Sequence, residues 1–164
     1  AMTTGTAERH RGSALSYDVT ELGWNYRLDD VRASLGIAQL RRLPELLRRR
    51  RELRRLYVEM LSSVQGIQIP FRDRFGEIGY HILPILIDPQ INRDETRRRL
   101  NDLGIQTSVH YPPIHLFEAY ENQRSPDLQL TEDVAAREIT LPFFPSMSEK
   151  MVEQVVDCLK RAIA

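Results

Sequence analysis

The order of segments decides the fold class of this chain. Helix-like stretches alternate with short apolar runs that read as strands. Ile67, Ile69 and Phe71 alternate along a first strand, and the run Tyr80 to Ile87 (YHILPILI) makes a mostly apolar second one. Pro84 lacks a backbone donor, which predicts an edge or bulged position there. Ile105 to His110 alternates as a third strand. Asp29 or Asp30 opens a short helix carrying Val31, Leu35, Ala38 and Leu40 on one stripe. Pro44 suits the first turn of a second helix, which runs to about Ser62 with Leu46, Leu53, Tyr57, Met60 and Leu61 near one face and stops at Gly66. Asn92, with Glu95 three residues on, opens a further helix that Gly104 ends. A short helix is predicted around Leu116 to Tyr120, and another from a Thr131 cap through Ile139. Leu141 to Pro145 reads as an extended link. Ser148 caps the last helix, where Met151, Val155, Val156, Leu159 and Ile163 form the stripe to be buried. Strands separated by helices predict the α/β class, a short sheet with helices packed on it.

A chain of 164 residues and 19.1 kDa supports one hydrophobic core. Residues 1–16 are rich in Thr, Gly, Ser and Ala without a period and read as a mobile arm, which leaves 17–164 as the domain. The formal net charge is zero, so no global field favours nucleic acid or a membrane surface. No apolar run approaches the roughly 20 residues of a membrane span, and the first residues carry no secretory apolar core. Cys158 is the single cysteine, which excludes an internal disulfide and predicts a reducing, cytoplasmic setting.

Of 23 basic residues, 21 are arginine; the lysines are Lys150 and Lys160. Arginine stays protonated near neutral pH and forms no Schiff base, so amine chemistry is confined to two positions. Lys150 falls in the first turn of the last helix and Lys160 near its end, where both are predicted to be solvated. The block LRRRRELRR, Leu47 to Arg55, spreads its arginines around more than half of a helix among Glu45, Glu52 and Glu59. That pattern predicts a solvated face rather than a nucleic-acid surface. No GxSxG, glycine-rich phosphate loop or HExxH is present. His81, in an apolar strand, is predicted to be a satisfied core histidine. His110 and His115 are separated by two prolines, so no helix holds them as metal ligands.

Two segments remain. In GWNYR, Trp24 and Tyr26 can anchor a core, while Asn25 and Arg27 offer an amide and a fork of donors suited to phosphate and carboxylate. His110 ends a predicted strand and precedes Tyr111, Pro112 and Pro113. It either meets a ligand at the strand end or belongs to a segment that merely sets a turn.

Taken together, GWNYRLDDVRASLGIAQLRRLPEL, GIQTSVHYPPIHLFEAY and REITLPFFPSMSEKMVEQVVDCLKRAI resemble, in order, three blocks of the DegT/DnrJ/StrS-type sugar aminotransferases, over about Tyr17 to Ile163. The resemblance implies the small C-terminal domain of the aspartate-aminotransferase-like fold. It also implies pyridoxal 5′-phosphate (PLP) as cofactor of the intact enzyme, and a homodimer with shared active sites. The chemistry implied is amino transfer, usually from glutamate, to a nucleotide-linked keto-sugar. By the same resemblance Asn25 reaches the cofactor phosphate of the neighbouring subunit, Arg27 holds a substrate or donor carboxylate, and His110 and Tyr111 line the sugar-nucleotide side. The blocks correspond to the C-terminal part alone, so the Schiff-base lysine is expected from a large domain, in cis or in trans. No catalytic residue is assigned within this chain, and no PLP is expected on it alone. The region of the arginine-rich helix would pack the small domain against the large one, and a bare apolar face there favours association. The alternative is an independent interaction or regulatory module that keeps the small-domain fold.

Overall fold

The computed structural model describes residues 24, 28–76, 78–123 and 128–164. The predicted arm at 1–16 lies outside them. Two compact units divide the chain, Ala1–Arg42 and Leu43–Ala164.

Helix α1 spans Asp30–Leu61. Its start is capped by Asp29, whose Oδ1 accepts from the Arg32 N–H at 2.8 Å. The two helices predicted on either side of Pro44 are one. Proline removes a single ladder bond here, and the Leu, Arg, Glu and Ala around it are strong helix formers that carry the helix through. In the first unit the stripe of Val31, Leu35, Ala38 and Leu40 is exposed.

The second unit is built on a three-stranded antiparallel sheet of order β1–β2–β3, with β1 at Ile67–Gln68, β2 at Leu83–Ile87 and β3 at Glu138–Leu141. The first strand is shorter than its alternation predicts. Pro70 interrupts it, and Phe71 turns the chain at φ 54°. The third predicted strand, at 105–110, contributes only the bridge Ser108↔Thr140. The strand that completes the sheet comes from residues read as a helix end and a link. Helix α3, Gln129–Arg137, stops before β-branched Ile139 and Thr140, which favour the pleated sheet. Its N-cap is Leu128 without a side-chain bond, so Thr131 is not the cap.

Pro84 lies in the middle strand of the sheet, opposite Thr140. Both backbone groups of Thr140 are engaged with Ser108 on its far side. The Pro84–Thr140 pair is therefore a non-hydrogen-bonded one, and β1 reaches only Leu86 and Ile87. The missing donor is called on by neither neighbour, so Pro84 occupies a local edge.

Helix α2 covers Arg93–Asp102. Asn92 Oδ1 accepts from the Glu95 N–H at 2.9 Å, as the cap predicts. The Glu95 carboxylate pairs with Arg98 and Arg99. Gly104, at φ +80°, lets Ile105 N–H return to the Leu100 carbonyl at 2.8 Å and close the helix. Two 3₁₀ turns, Ile114–Leu116 and Glu118–Gln123, replace the short helix predicted near Leu116. Helix α4, Glu149–Ile163, starts at Ser148, whose Oγ accepts from the Met151 N–H. It buries Val152, Val155, Val156, Cys158, Leu159 and Ala162, while Met151 stays partly exposed.

The alternation of β2 and β3 assigns the two sheet faces. Leu83, Ile85, Ile87, Ile139 and Leu141 join Leu53, Tyr57 and Leu61 of α1 and the apolar stripe of α4 in one core. Leu86, Glu138 and Thr140, also buried, point to the opposite face. No helix among the described residues is long and apolar enough to cross a membrane.

The arginine block of α1 is less solvated than its spacing predicts. Arg49 Nη2 donates to the Met147 carbonyl at 2.8 Å. Arg50 Nη1 reaches the carbonyls of Tyr80, His81 and Phe143 at 3.0–3.2 Å. Arg54, 5% exposed, donates to the carbonyls of Phe71 and Arg72 and lies 4.6 Å from the Phe75 ring centre. Burial lowers its affinity for its proton, partly offset by Tyr80 and Asp73. Arg48, Arg51 and Arg55 keep the exposed positions. The forked guanidinium satisfies loop carbonyls that have no ladder to join.

Tyr57 is fully buried, and its hydroxyl donates to the Pro142 carbonyl at 2.8 Å. Burial pushes its phenol well above the usual tyrosine range. The unfolded phenol ionises near pH 10 while the folded one keeps its proton, so stability is full below about pH 10 and falls as pH rises past it. Tyr57→Phe is expected to cost about 1 kcal/mol at neutral pH through the lost hydrogen bond. It should also flatten the alkaline fall. Urea midpoints at pH 7 and pH 10.5 check both, because the gap between the two proteins should narrow at the higher pH.

Candidate functional site

The site grows out of β3. Period two sends Ile139 and Leu141 into the core and presents Glu138 and Thr140 on the other face. Thr140 exchanges two backbone hydrogen bonds with Ser108, N–H to carbonyl at 2.8 and 3.2 Å. In antiparallel register that bridge sets His110 opposite Glu138. The His110 N–H donates to Glu138 Oε2 at 3.0 Å. The Thr140 hydroxyl donates to Glu138 Oε1 at 2.5 Å, and the Thr140 hydroxyl oxygen itself lies 2.8 Å from His110 Nδ1. Ser108 Oγ stands 3.4 Å from that nitrogen. A buried carboxylate, a buried hydroxyl and an imidazole thus form one hydrogen-bonded chain.

The imidazole is only partly buried. Among the described residues its Nε2 has no hydrogen-bond partner. The Tyr111 ring stands edge-on to it, centres 4.7 Å apart at 83°, and is 68% exposed. A cleft between this loop and α3 is lined by His110, Tyr111, Thr131, Val134 and Glu138. His110 and Tyr111 therefore adjoin one opening, with a ring nitrogen and a phenol available to a ligand.

Other sequence expectations fare differently. Asn25 and Arg27 lie outside the described residues. His81 is exposed rather than a core residue, because β2 begins at Leu83 and the His81 carbonyl, not its ring, is held by Arg50 among the described residues. His115 Nε2 meets Glu132 Oε1 at 2.9 Å. Glu138, Thr140 and Ser108 carry no motif of their own. The signal for them was the polar–apolar alternation of Glu138, Ile139, Thr140 and Leu141.

A PLP cofactor, which the sequence resemblance implies, needs an amine to hold its aldehyde carbon. Both lysines are exposed on α4, and Lys160 lies 3.5 Å from Asp157. Neither sits in a desolvated pocket, and no other lysine exists in these 164 residues. The residues in hand do not fit the covalent part of a PLP site.

A profile of the DegT/DnrJ/EryC1/StrS aminotransferase family matches residues 3–160. The chain belongs to this family. A dTDP-4-dehydro-2,3,6-trideoxy-D-glucose 4-aminotransferase of Saccharopolyspora spinosa is 34% identical over 146 residues, 88% of this chain and 37% of that protein. The crystal structure of the aminotransferase TlmJ from Streptoalloteichus hindustanus superposes with a TM-score of 0.78 at 34% identity, over 90% of this chain and 40% of that one. DesV of S. venezuelae, solved in complex with a ketimine intermediate, gives a TM-score of 0.78 at 29% identity, over 94% and 43%. The chain thus spans about 40% of the length of these DegT/DnrJ/EryC1/StrS relatives. The matched residues correspond to one part of these relatives.

Proposed function

We propose that these residues are the small C-terminal domain of a PLP-dependent aminotransferase acting on a nucleotide-linked keto-sugar, with glutamate as amino donor. The observation that carries this reading is the family match across 3–160. The named substrate of the S. spinosa relative, a dTDP-linked keto-sugar, supports the substrate class. In this reading His110 and Tyr111 line the sugar-nucleotide side. Arg27 holds a carboxylate, and Asn25 reaches the cofactor phosphate of a second subunit in a homodimer. The cofactor's tether comes from a large domain, since Lys150 and Lys160 are placed for solvent. The 164 residues alone then transfer no amino group.

The test joins this chain to the remaining N-terminal part of the S. spinosa relative. Glutamate-dependent amination of a dTDP-linked keto-sugar is then assayed, with the intact relative as control. Transfer by the joined protein and none by the chain alone is expected. A folded joined protein that shows no transfer, beside an active control, would overturn the assignment. An Arg27→Ala version should lose at least tenfold in kcat/KM, about 1.4 kcal/mol of transition-state binding.

A further inference from the structure

The proton count along the chain from Glu138 to His110 is fixed. A carboxylate at neutral pH only accepts hydrogen bonds. The Thr140 hydroxyl has one proton, and its 2.5 Å contact with Glu138 Oε1 uses it. At 2.8 Å from His110 Nδ1, the same oxygen can then only accept, so Nδ1 must carry the proton. Glu138 is held in turn by the His110 backbone N–H, and both Glu138 and Thr140 are buried. Because the bridge Ser108↔Thr140 sets the register, the three groups cannot drift apart without opening the sheet edge.

We propose that Glu138 and Thr140 are positioning residues that hold His110 as its Nδ1–H tautomer, leaving Nε2 as an acceptor for a hydroxyl of the bound sugar. The hydroxyl's identity as part of a sugar rests on the function proposed above; the tautomer does not. A hydrogen-bonded partner behind a ring nitrogen fixes both which nitrogen is protonated and where the ring points. Nε2 then meets the ligand as a lone pair. An Nε2–H tautomer would instead oppose a hydroxyl that donates to it, and would set a bare Nδ1 against the lone pairs of the Thr140 oxygen at 2.8 Å.

The experiment reads the tautomer directly, by nitrogen-15 NMR of the imidazoles in the 164-residue chain, with His110→Gln to assign the signal. Wild-type His110 should show a protonated Nδ1 and a bare Nε2 in its neutral form. Thr140→Val, which removes the hydroxyl at nearly constant volume, should move the proton to Nε2, and Thr140→Ser should restore the wild-type pattern. A wild-type ring protonated on Nε2, or a Thr140→Val ring unchanged from wild type, would overturn the positioning role. If the valine protein fails to fold, the wild-type and serine spectra still decide. In the joined enzyme, Thr140→Val should raise the KM for the sugar nucleotide about tenfold with a smaller change in kcat, and serine should rescue it. A switched tautomer with an unchanged KM would overturn the acceptor role. Loss of all amino transfer from the joined wild-type protein would instead count against the function, with the NMR result unaffected.

Discussion

Replacing Ile139 by alanine is expected to lower the stability of the unit Leu43–Ala164 by about 2–5 kcal/mol. Ile139 is fully buried, pairs across the sheet with fully buried Ile85, and sits in the core that also holds Tyr57, Val156 and Leu159. Its truncation leaves a cavity walled by a helix and two strands, which collapse poorly because the sheet register fixes the backbone. The melting temperature should drop by on the order of 10 °C. The adjacent Thr140→Ser is the contrast. It lies on the other face, keeps its hydroxyl and should shift stability by less than about 1 kcal/mol. Equal losses at both positions would mean that the two faces of β3 are not divided as described.

The second large effect lies in the arginine-rich helix. Arg54→Lys is expected to cost about 2–3 kcal/mol, the scale of a charge-assisted hydrogen bond to a buried acceptor. One ammonium on a flexible stem cannot reproduce a planar fork that spans the carbonyls of Phe71 and Arg72 and stacks near Phe75. Arg51→Ala, three positions away and exposed, should change stability by less than about 0.5 kcal/mol. Chemical denaturation of the two variants separates the accounts. If both lose little, the block is the solvated face that its spacing predicts.

The sequence and the structure agree where a local signal acts alone. Ser148, Asn92 and Gly104 punctuate the chain as their chemistry requires, because caps and left-handed turns need no distant partner; Gly66, read as the stop of the long helix, instead leads into β1, five residues after that helix ends at Leu61. They part where tertiary pairing decides. A helix capped at Thr131 reads through Ile139, with Leu141 in an extended link, yet Ile139 and Thr140 gain more from pairing with Ile85 and Pro84. The run 105–110 has the alternation of a strand, but only Ser108 finds a neighbour. Pro44 looks like a boundary because proline so often is one; strong helix formers on both sides overrule it. Helical spacing alone puts the arginine side chains in solvent, because it cannot show the loop carbonyls of Phe71, Tyr80 and Phe143 folding back onto them. For the candidate site, the place of His110 and Tyr111 before a proline pair points to a strand end that meets a ligand or to a segment that sets a turn. Glu138 and Thr140 are not legible, since their role depends on a register set thirty residues apart in sequence.

The most direct trial of the borrowed tether is chemical. The 164-residue chain is incubated with PLP, glutamate and a dTDP-linked keto-sugar, reduced with borohydride and weighed by mass spectrometry, while the sugar fraction is examined for amine. No stoichiometric pyridoxyl group on Lys150 or Lys160, and no amino-sugar, is the expected result. A single pyridoxyl adduct on one of those lysines, together with catalytic accumulation of amino-sugar, would contradict it.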